Sequence, residues 1–149
     1  MTLLDKAERF CAYQERSRAE VEMKLRKLGA TPEGIKKTLE SLAEEGYINE
    51  ERYAKLFASG KFRIKRWGKN KIRAELRMKK IPDNIISNAL DAIDEEEYLK
   101  TIHHLIKKKA KEVKNPEQKI KNQKIFRFLL SKGFESHLVL SSMKQKTKD

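Results

Sequence analysis

Apolar residues recur along this chain with a helical period, and the same ladder is written three times. A branched aliphatic residue, a Leu four positions on and an apolar residue five further recur at Val21, Leu25, Ala30, at Ile72, Leu76, Ile81 and at Ile125, Leu129, Phe134. Each copy runs on into a second ladder: Ile35, Leu39, Leu42, then Ile86, Leu90, Ile93, then Val139, Met143. Spacings of three and four residues stack side chains on one helix face, and no stretch alternates with period two long enough to predict a sheet. A repeat of about fifty residues built from short helices predicts tandem units that share their cores with their neighbours. Such an architecture favours a long binding surface over one enclosed pocket.

Helix punctuation divides the ladders. Ser17-Arg18-Ala19-Glu20 and Asp94 to Glu97 have the form of capping boxes, in which side chains at both ends of the first turn satisfy exposed amides. Thr31-Pro32-Glu33 offers a cap, a proline at the first helical position and an acid in the first turn, and Asn49-Glu50-Glu51 opens another helix. Asn115-Pro116-Glu117-Gln118 combines the same elements. Gly29, Gly46 and Gly133 stand just past apolar ladders, where a left-handed residue closes a helix. These marks predict an all-α fold of about nine helices in three three-helix modules, 1–46, 47–93 and 94–149, forming an elongated, curved molecule. The joints, Glu45 to Tyr53 and Asp94 to Tyr98, lack Gly, Ser and Pro enrichment and read as packed corners. The last residues, from about Lys144 to Asp149, read as frayed.

Charge changes the picture next. The 149-residue chain carries 35 Lys and Arg against 22 Asp and Glu, a net charge of +13, which points to a polyanionic partner, first of all nucleic acid. With 38% apolar and 38% charged residues and strong periodicity it is not a disordered chain. The single Cys11, between Phe10 and Ala12, excludes an intrachain disulfide and reads as a small core residue. The N-terminus lacks a basic segment followed by an apolar run, and no stretch approaches a membrane span, so the expected location is cytoplasmic, with no membrane partner.

Catalytic chemistry is not visible. No glycine is followed by Lys-Ser/Thr, as a phosphate-binding loop requires. His103 and His104 are adjacent and point to different sides of a helix, and His137 belongs to another helix, so no metal site is expected. The acidic pairs Glu44-Glu45 and Glu50-Glu51 and the run Glu95-Glu96-Glu97 sit at helix ends, where dipole and capping effects account for them. The expectation is a non-enzyme without cofactor.

The informative polar stretch is basic. From Lys61 to Lys80, the residues Lys61, Arg63, Lys65, Arg66, Lys69, Lys71, Arg73, Arg77, Lys79 and Lys80 meet one acid, Glu75. Lys69, Arg73 and Arg77, four apart, form one stripe able to follow a row of phosphates, and Trp67 stands between the two helices as core filler. Uncompensated charge costs self-repulsion, which favours a binding surface over a merely solvated face. A second basic group, Lys107, Lys108, Lys109, Lys111, Lys114, Lys119, Lys121, Lys124 and Arg127, is partly offset by Glu112 and Glu117 and is as consistent with solvation as with anion contact.

Arg16-Ser17-Arg18-Ala19-Glu20 with Lys24-Leu25 and Gly29, then Gly46-Tyr47-Ile48-Asn49-Glu50-Glu51-Arg52-Tyr53-Ala54, resemble motifs of the bacterial RecX family, regulators of the RecA recombinase. Trp67-Gly68 leading to Lys71-Ile72-Arg73, Glu75-Leu76 and Lys80-Ile81, and the ending Phe128 to Phe134, are similar to that family's later motifs. Asn49 stands where the family usually has Asp, and Lys80 where it has Gly. The resemblance implies a tandem three-helix-repeat, cytoplasmic, monomeric protein without cofactor that lies in the groove of the RecA–single-stranded DNA filament and suppresses its ATPase and strand exchange, in regulation of DNA repair, recombination and the SOS response. The implied partners are the RecA nucleoprotein filament and single-stranded DNA, with double-stranded DNA as a further target. Family and charge together select Arg16, Arg18, Arg63, Lys65, Arg66, Lys69, Lys71, Arg73 and Arg77 as the RecA- and DNA-binding surface, while Gly46, Tyr47, Ile48, Tyr53 and Trp67 are expected in inter-module packing. The rival readings are a sequence-tolerant nucleic-acid-binding module without RecA, and an adaptor for an acidic protein.

Overall fold

The computed structural model describes the backbone of residues 1–148 and the side chains through residue 145. Among the described residues there are nine α-helices and no strand: α1 Leu3–Tyr13, α2 Arg18–Lys27, α3 Pro32–Glu44, α4 Glu50–Arg63, α5 Lys69–Met78, α6 Asp83–Asp91, α7 Glu95–Glu112, α8 Gln118–Ser131 and α9 Ser136–Lys148. Close helix packing falls within the triplets α1–α3, α4–α6 and α7–α9. The helix α9 continues through Lys148, where the sequence suggests fraying from about Lys144; Asp149 lies outside the described residues.

The repeated ladder has a structural counterpart at the end of the second helix of each triplet. The amides of Ala30, Ile81 and Phe134 donate to the carbonyls of Leu25, Leu76 and Leu129, around Gly29, Lys80 and Gly133 in the left-handed conformation. This double-bonded C-terminal motif turns the chain sharply into the third helix of each triplet; the apolar residue after the turn is buried at Ile81 and Phe134 and half-buried at Ala30. Gly29 and Gly133 accept that conformation without strain, whereas Lys80 holds it at φ 62° with a Cβ in place.

The starts follow their caps with three departures. In the first, Asp94 makes only its own half of the expected capping box, without a return bond to the Glu97 side chain. Ser17, Thr31, Asn49 and Asp94 accept from the amides of Glu20, Gly34, Arg52 and Glu97. The carboxylate of Glu20, however, turns away from the reciprocal capping bond and accepts from the Tyr53 hydroxyl at 2.8 Å. The helix α8 starts at Gln118, later than Asn115-Pro116 suggests, because the Asn115 side chain closes a tight turn onto the Glu117 amide.

The triplets bury two cores instead of one continuous one. Ala7, Cys11, Val21, Leu25, Ile35, Leu39, Leu42 and Ile48 form the first, with Tyr47 packed against it. A second core runs without interruption through both remaining triplets, from Tyr53, Ala58 and Phe62 through Ile72, Leu76 and Ile86 to Tyr98, Ile102, Leu129, Phe134 and Val139. The expected sharing of cores therefore holds between the second and third triplets and not between the first and second. Its physical reason lies in the linker, where Tyr47 and Ile48 fold back to close the first core.

The two joints differ accordingly. Between the first and second triplets the bridging contacts include Tyr53 to Glu20, an Arg52–Glu15 ion pair at 2.7 Å and a Lys79–Glu20 ion pair at 3.5 Å. Between the second and third, backbone meets backbone. The Gly68 amide donates to the Lys132 carbonyl at 2.8 Å and the Asn70 amide to the Gly133 carbonyl at 2.9 Å. The Lys69 amide donates to the Tyr98 hydroxyl at 2.9 Å, and that hydroxyl donates to Glu135. The first-turn amides of α5, whose N-cap Gly68 offers no side chain, are thus satisfied by the neighbouring triplet. A Cβ on Gly68 would collide with the Gly133 backbone, and one on Gly133 with Lys71.

Candidate nucleic-acid interface

Docking α5 against the α8–α9 turn assembles cations that lie far apart in sequence. The α4–α5 loop, Ile64 to Gly68, carries Lys65 and Arg66, with Arg66 in the left-handed conformation at φ 56°. The interlock of Gly68 with Gly133 sets this loop beside Lys132, whose ammonium donates to the Lys65 carbonyl at 2.7 Å. The Lys132 ammonium is held below the usual lysine range, first by partial burial and then by the positive charges of Lys71, Arg66, Lys65 and Lys108. Like charges so placed raise each other's energy, and an anion relieves that.

A groove of about 570 Å³ runs along this cluster. Its walls carry Lys65, Arg66, Lys108, Lys109 and Lys132, together with His104 and a single carboxylate, Glu112. Glu112 is 3.8 Å from Lys109, whose ammonium also sits 4.4 Å from the centre of the Phe128 ring. Leu105 and Phe128 supply apolar wall, and Ile64, 80% exposed, stands on the rim.

The residues expected to bind are distributed unevenly. Lys65, Arg66 and Lys71 meet around Lys132. Along the α5 stripe, Lys69 lies 5.0 Å from the Tyr98 ring centre, Arg73 donates to the Asn70 side chain, and Arg77 pairs with Asp83 at 3.1 Å. Arg63 is 3.8 Å from Glu97. In the first triplet, Arg16 donates to the Phe10 carbonyl and stacks 3.9 Å over the Phe10 ring, which ties the α1–α2 corner; Arg18 is exposed. Neither is among the charges that act on Lys132.

The packing residues also separate. Gly46 is the left-handed stop of α3, and its carbonyl accepts from Arg52. Tyr47 and Ile48 belong to the first core, and Tyr53 belongs to the second while its hydroxyl reaches back to Glu20. Burial and the Glu20 carboxylate push the Tyr53 phenol well above its usual range, so it stays a donor. Trp67 packs against the second core under the ammonium groups of Lys61 and Lys71, 4.9 and 4.6 Å from its ring centre.

Lys132 and Lys108 were not singled out by the sequence. Lys108 is hidden in a lysine run, and Lys132 reads as one charge in a helix-ending turn; no linear pattern places residue 132 beside residue 65. Among the described residues, no group of three His, Cys, Asp or Glu side chains could hold a metal ion, and no helix is long and apolar enough to cross a membrane.

Known proteins share this three-module helical fold. Three family models match in order: the first three-helix domain of RecX over residues 4–42, the second over 49–90 and the third over 95–141. Regulatory protein RecX of Chlorobaculum tepidum is 35% identical over 141 residues, covering 95% of this chain and 86% of that protein. Regulatory protein RecX of Clostridium perfringens strain 13 is 37% identical over 118 residues, and the match spans 78% of this chain and 55% of that longer protein. The crystal structure of RecX from Lactobacillus salivarius superposes with a TM-score of 0.89 at 27% identity, covering 96% of this chain and 93% of that one.

Proposed function

The chain belongs to the RecX family of regulatory proteins, and we propose that it binds the RecA–single-stranded DNA filament and inhibits RecA's ATPase and strand exchange. In this reading it is a cytoplasmic, cofactor-free, non-enzymatic monomer, an elongated, curved array of modules 1–46, 47–93 and 94–149. The observation that carries the proposal is the acid-poor cation cluster held between the second and third modules. A helical polyanion coated by protein presents phosphates at intervals along a groove, and a tandem array with fixed cations can follow it. The cations of the α4 end, the α4–α5 loop and α5, namely Arg63, Lys65, Arg66, Lys69, Lys71, Arg73 and Arg77, exposed or half-buried, form the binding face in this proposal. Arg16 and Arg18 extend it along the first module.

The test is the ATPase rate of RecA filaments preformed on single-stranded DNA, titrated with this protein and with the variant Arg66→Ala, Lys69→Ala, Arg73→Ala, Arg77→Ala. Inhibition at substoichiometric protein, lost in the variant, is expected. Tight binding to bare DNA with no effect on the ATPase would instead establish the second reading, a sequence-tolerant nucleic-acid module, which the charge of the groove by itself favours.

A further inference from the structure

The groove between the α4–α5 loop and the α7–α8 face has a lining that charge alone does not explain. One side is cationic, from Lys65, Arg66, Lys108 and Lys132. His104, Lys109 and Glu112 complete the polar lining, and the apolar part is Leu105 and Phe128 in the wall, with Ile64 on the rim and 80% of its surface exposed. An aliphatic side chain this exposed, between the end of α4 and two consecutive cations, contributes nothing to either core. Two residues on, Arg66 is kept in a strained left-handed conformation, which shapes the loop that carries that rim.

An acidic peptide would satisfy the lysines and leave the apolar rim unused. A ligand with an anionic backbone and flat apolar faces uses both. The volume, about 570 Å³, is that of a small-ligand site, with room for about one or two nucleotides. Lysines act as point-charge partners for phosphate oxygens, and apolar side chains that wedge between bases are a recurring device of nucleic-acid binding.

We propose that this groove holds a single-stranded nucleic acid, with Lys65, Arg66, Lys108 and Lys132 gathered around the backbone phosphates of two adjacent nucleotides and Ile64 inserted between their bases. Because two modules supply its walls, the site exists only while Gly68 and Gly133 remain interlocked. The proposal deepens the regulatory reading and rests on it only in taking the polyanion to be nucleic acid.

The experiment uses the whole chain, without RecA, and a dye-labelled thymidine oligonucleotide whose anisotropy is followed across a salt series. A second oligonucleotide carries 2-aminopurine, whose fluorescence rises when it is unstacked. Lys65→Gln and Lys108→Gln, both at exposed positions, are each expected to lower the magnitude of the log–log salt slope by about 0.7, while Lys36→Gln on α3 leaves it unchanged. Ile64→Ala is expected to keep the slope and abolish the 2-aminopurine rise. Unchanged slopes in both lysine variants, a persistent rise in Ile64→Ala, or duplex bound as tightly as the single strand would each overturn the proposal. Filament inhibition that survives such a result would leave the regulatory reading standing; altered slopes without filament inhibition would leave the groove standing alone.

Discussion

At the scale of single residues, two side chains occupy a conformation that suits glycine. Lys80 ends α5 at φ 62° in the position that Gly29 and Gly133 fill in the other triplets, and Arg66 holds φ 56° in the α4–α5 loop. The left-handed conformation costs an L-residue roughly 1–2 kcal/mol, partly offset by the extra unfolded-state freedom that glycine would bring. Lys80 is exposed and its strain serves the turn alone, so Lys80→Gly is expected to stabilise the protein by about 0.5–1 kcal/mol in urea unfolding, with nucleic-acid affinity unchanged. Arg66→Gly relieves the same strain but removes a charge from the groove, so stability is expected to rise while affinity falls. If both variants only lose stability, strain at the two turns is not the dominant effect.

Among the elements, α5 is the one whose termination and initiation both depend on special residues. Its N-terminal amides are satisfied by Lys132, Gly133 and Tyr98 instead of by a side-chain cap. Gly133→Ala places a methyl group against Lys71 and strains φ 99°, and it is expected to cost about 3 kcal/mol. Hydrogen exchange should show the loss across α4–α9 together, with α1–α3 unaffected. Equal loss of protection in α1–α3 would contradict the separation of the two cores. The elements themselves were legible because three copies of one ladder repeat the evidence for each helix, and because Ser17, Thr31, Asn49 and Asp94 cap where their chemistry predicts. The start of α8 was not, since Asn115 and Pro116 can close a turn as readily as open a helix. The cation cluster around Lys132 was legible in part, at Lys65, Arg66 and Lys71, which lie close together in sequence. Lys108 and Lys132 join it through backbone contacts between two glycines, and a glycine in sequence does not announce which other backbone it admits.

For the molecule as a whole, two cores and two kinds of joint imply two cooperative units. The second and third triplets share apolar burial and backbone hydrogen bonds, which salt does not screen. The first triplet has its own core, sealed by Ile48, and bridges to the second through Glu20 and Glu15 with Tyr53, Lys79 and Arg52. Partly exposed ion pairs contribute about 0–1 kcal/mol each and weaken as the Debye length falls from about 10 Å at 0.1 M salt to about 3 Å at 1 M. The expected result is that α1–α3 amides exchange through an opening that leaves α4–α9 protected, and that raising salt to about 1 M lowers the free energy of that opening selectively. The Tyr53–Glu20 hydrogen bond joins an uncharged phenol to a carboxylate and is screened far less than an ion pair, so Tyr53→Phe should lower the opening energy further, by about 1–2 kcal/mol at either salt concentration. One global opening that releases all the helices together, insensitive to salt, would rule this out. If the two units are confirmed, the groove sits wholly in the second one, and the first triplet can change its angle to that unit without disturbing the cation cluster between the second and third triplets.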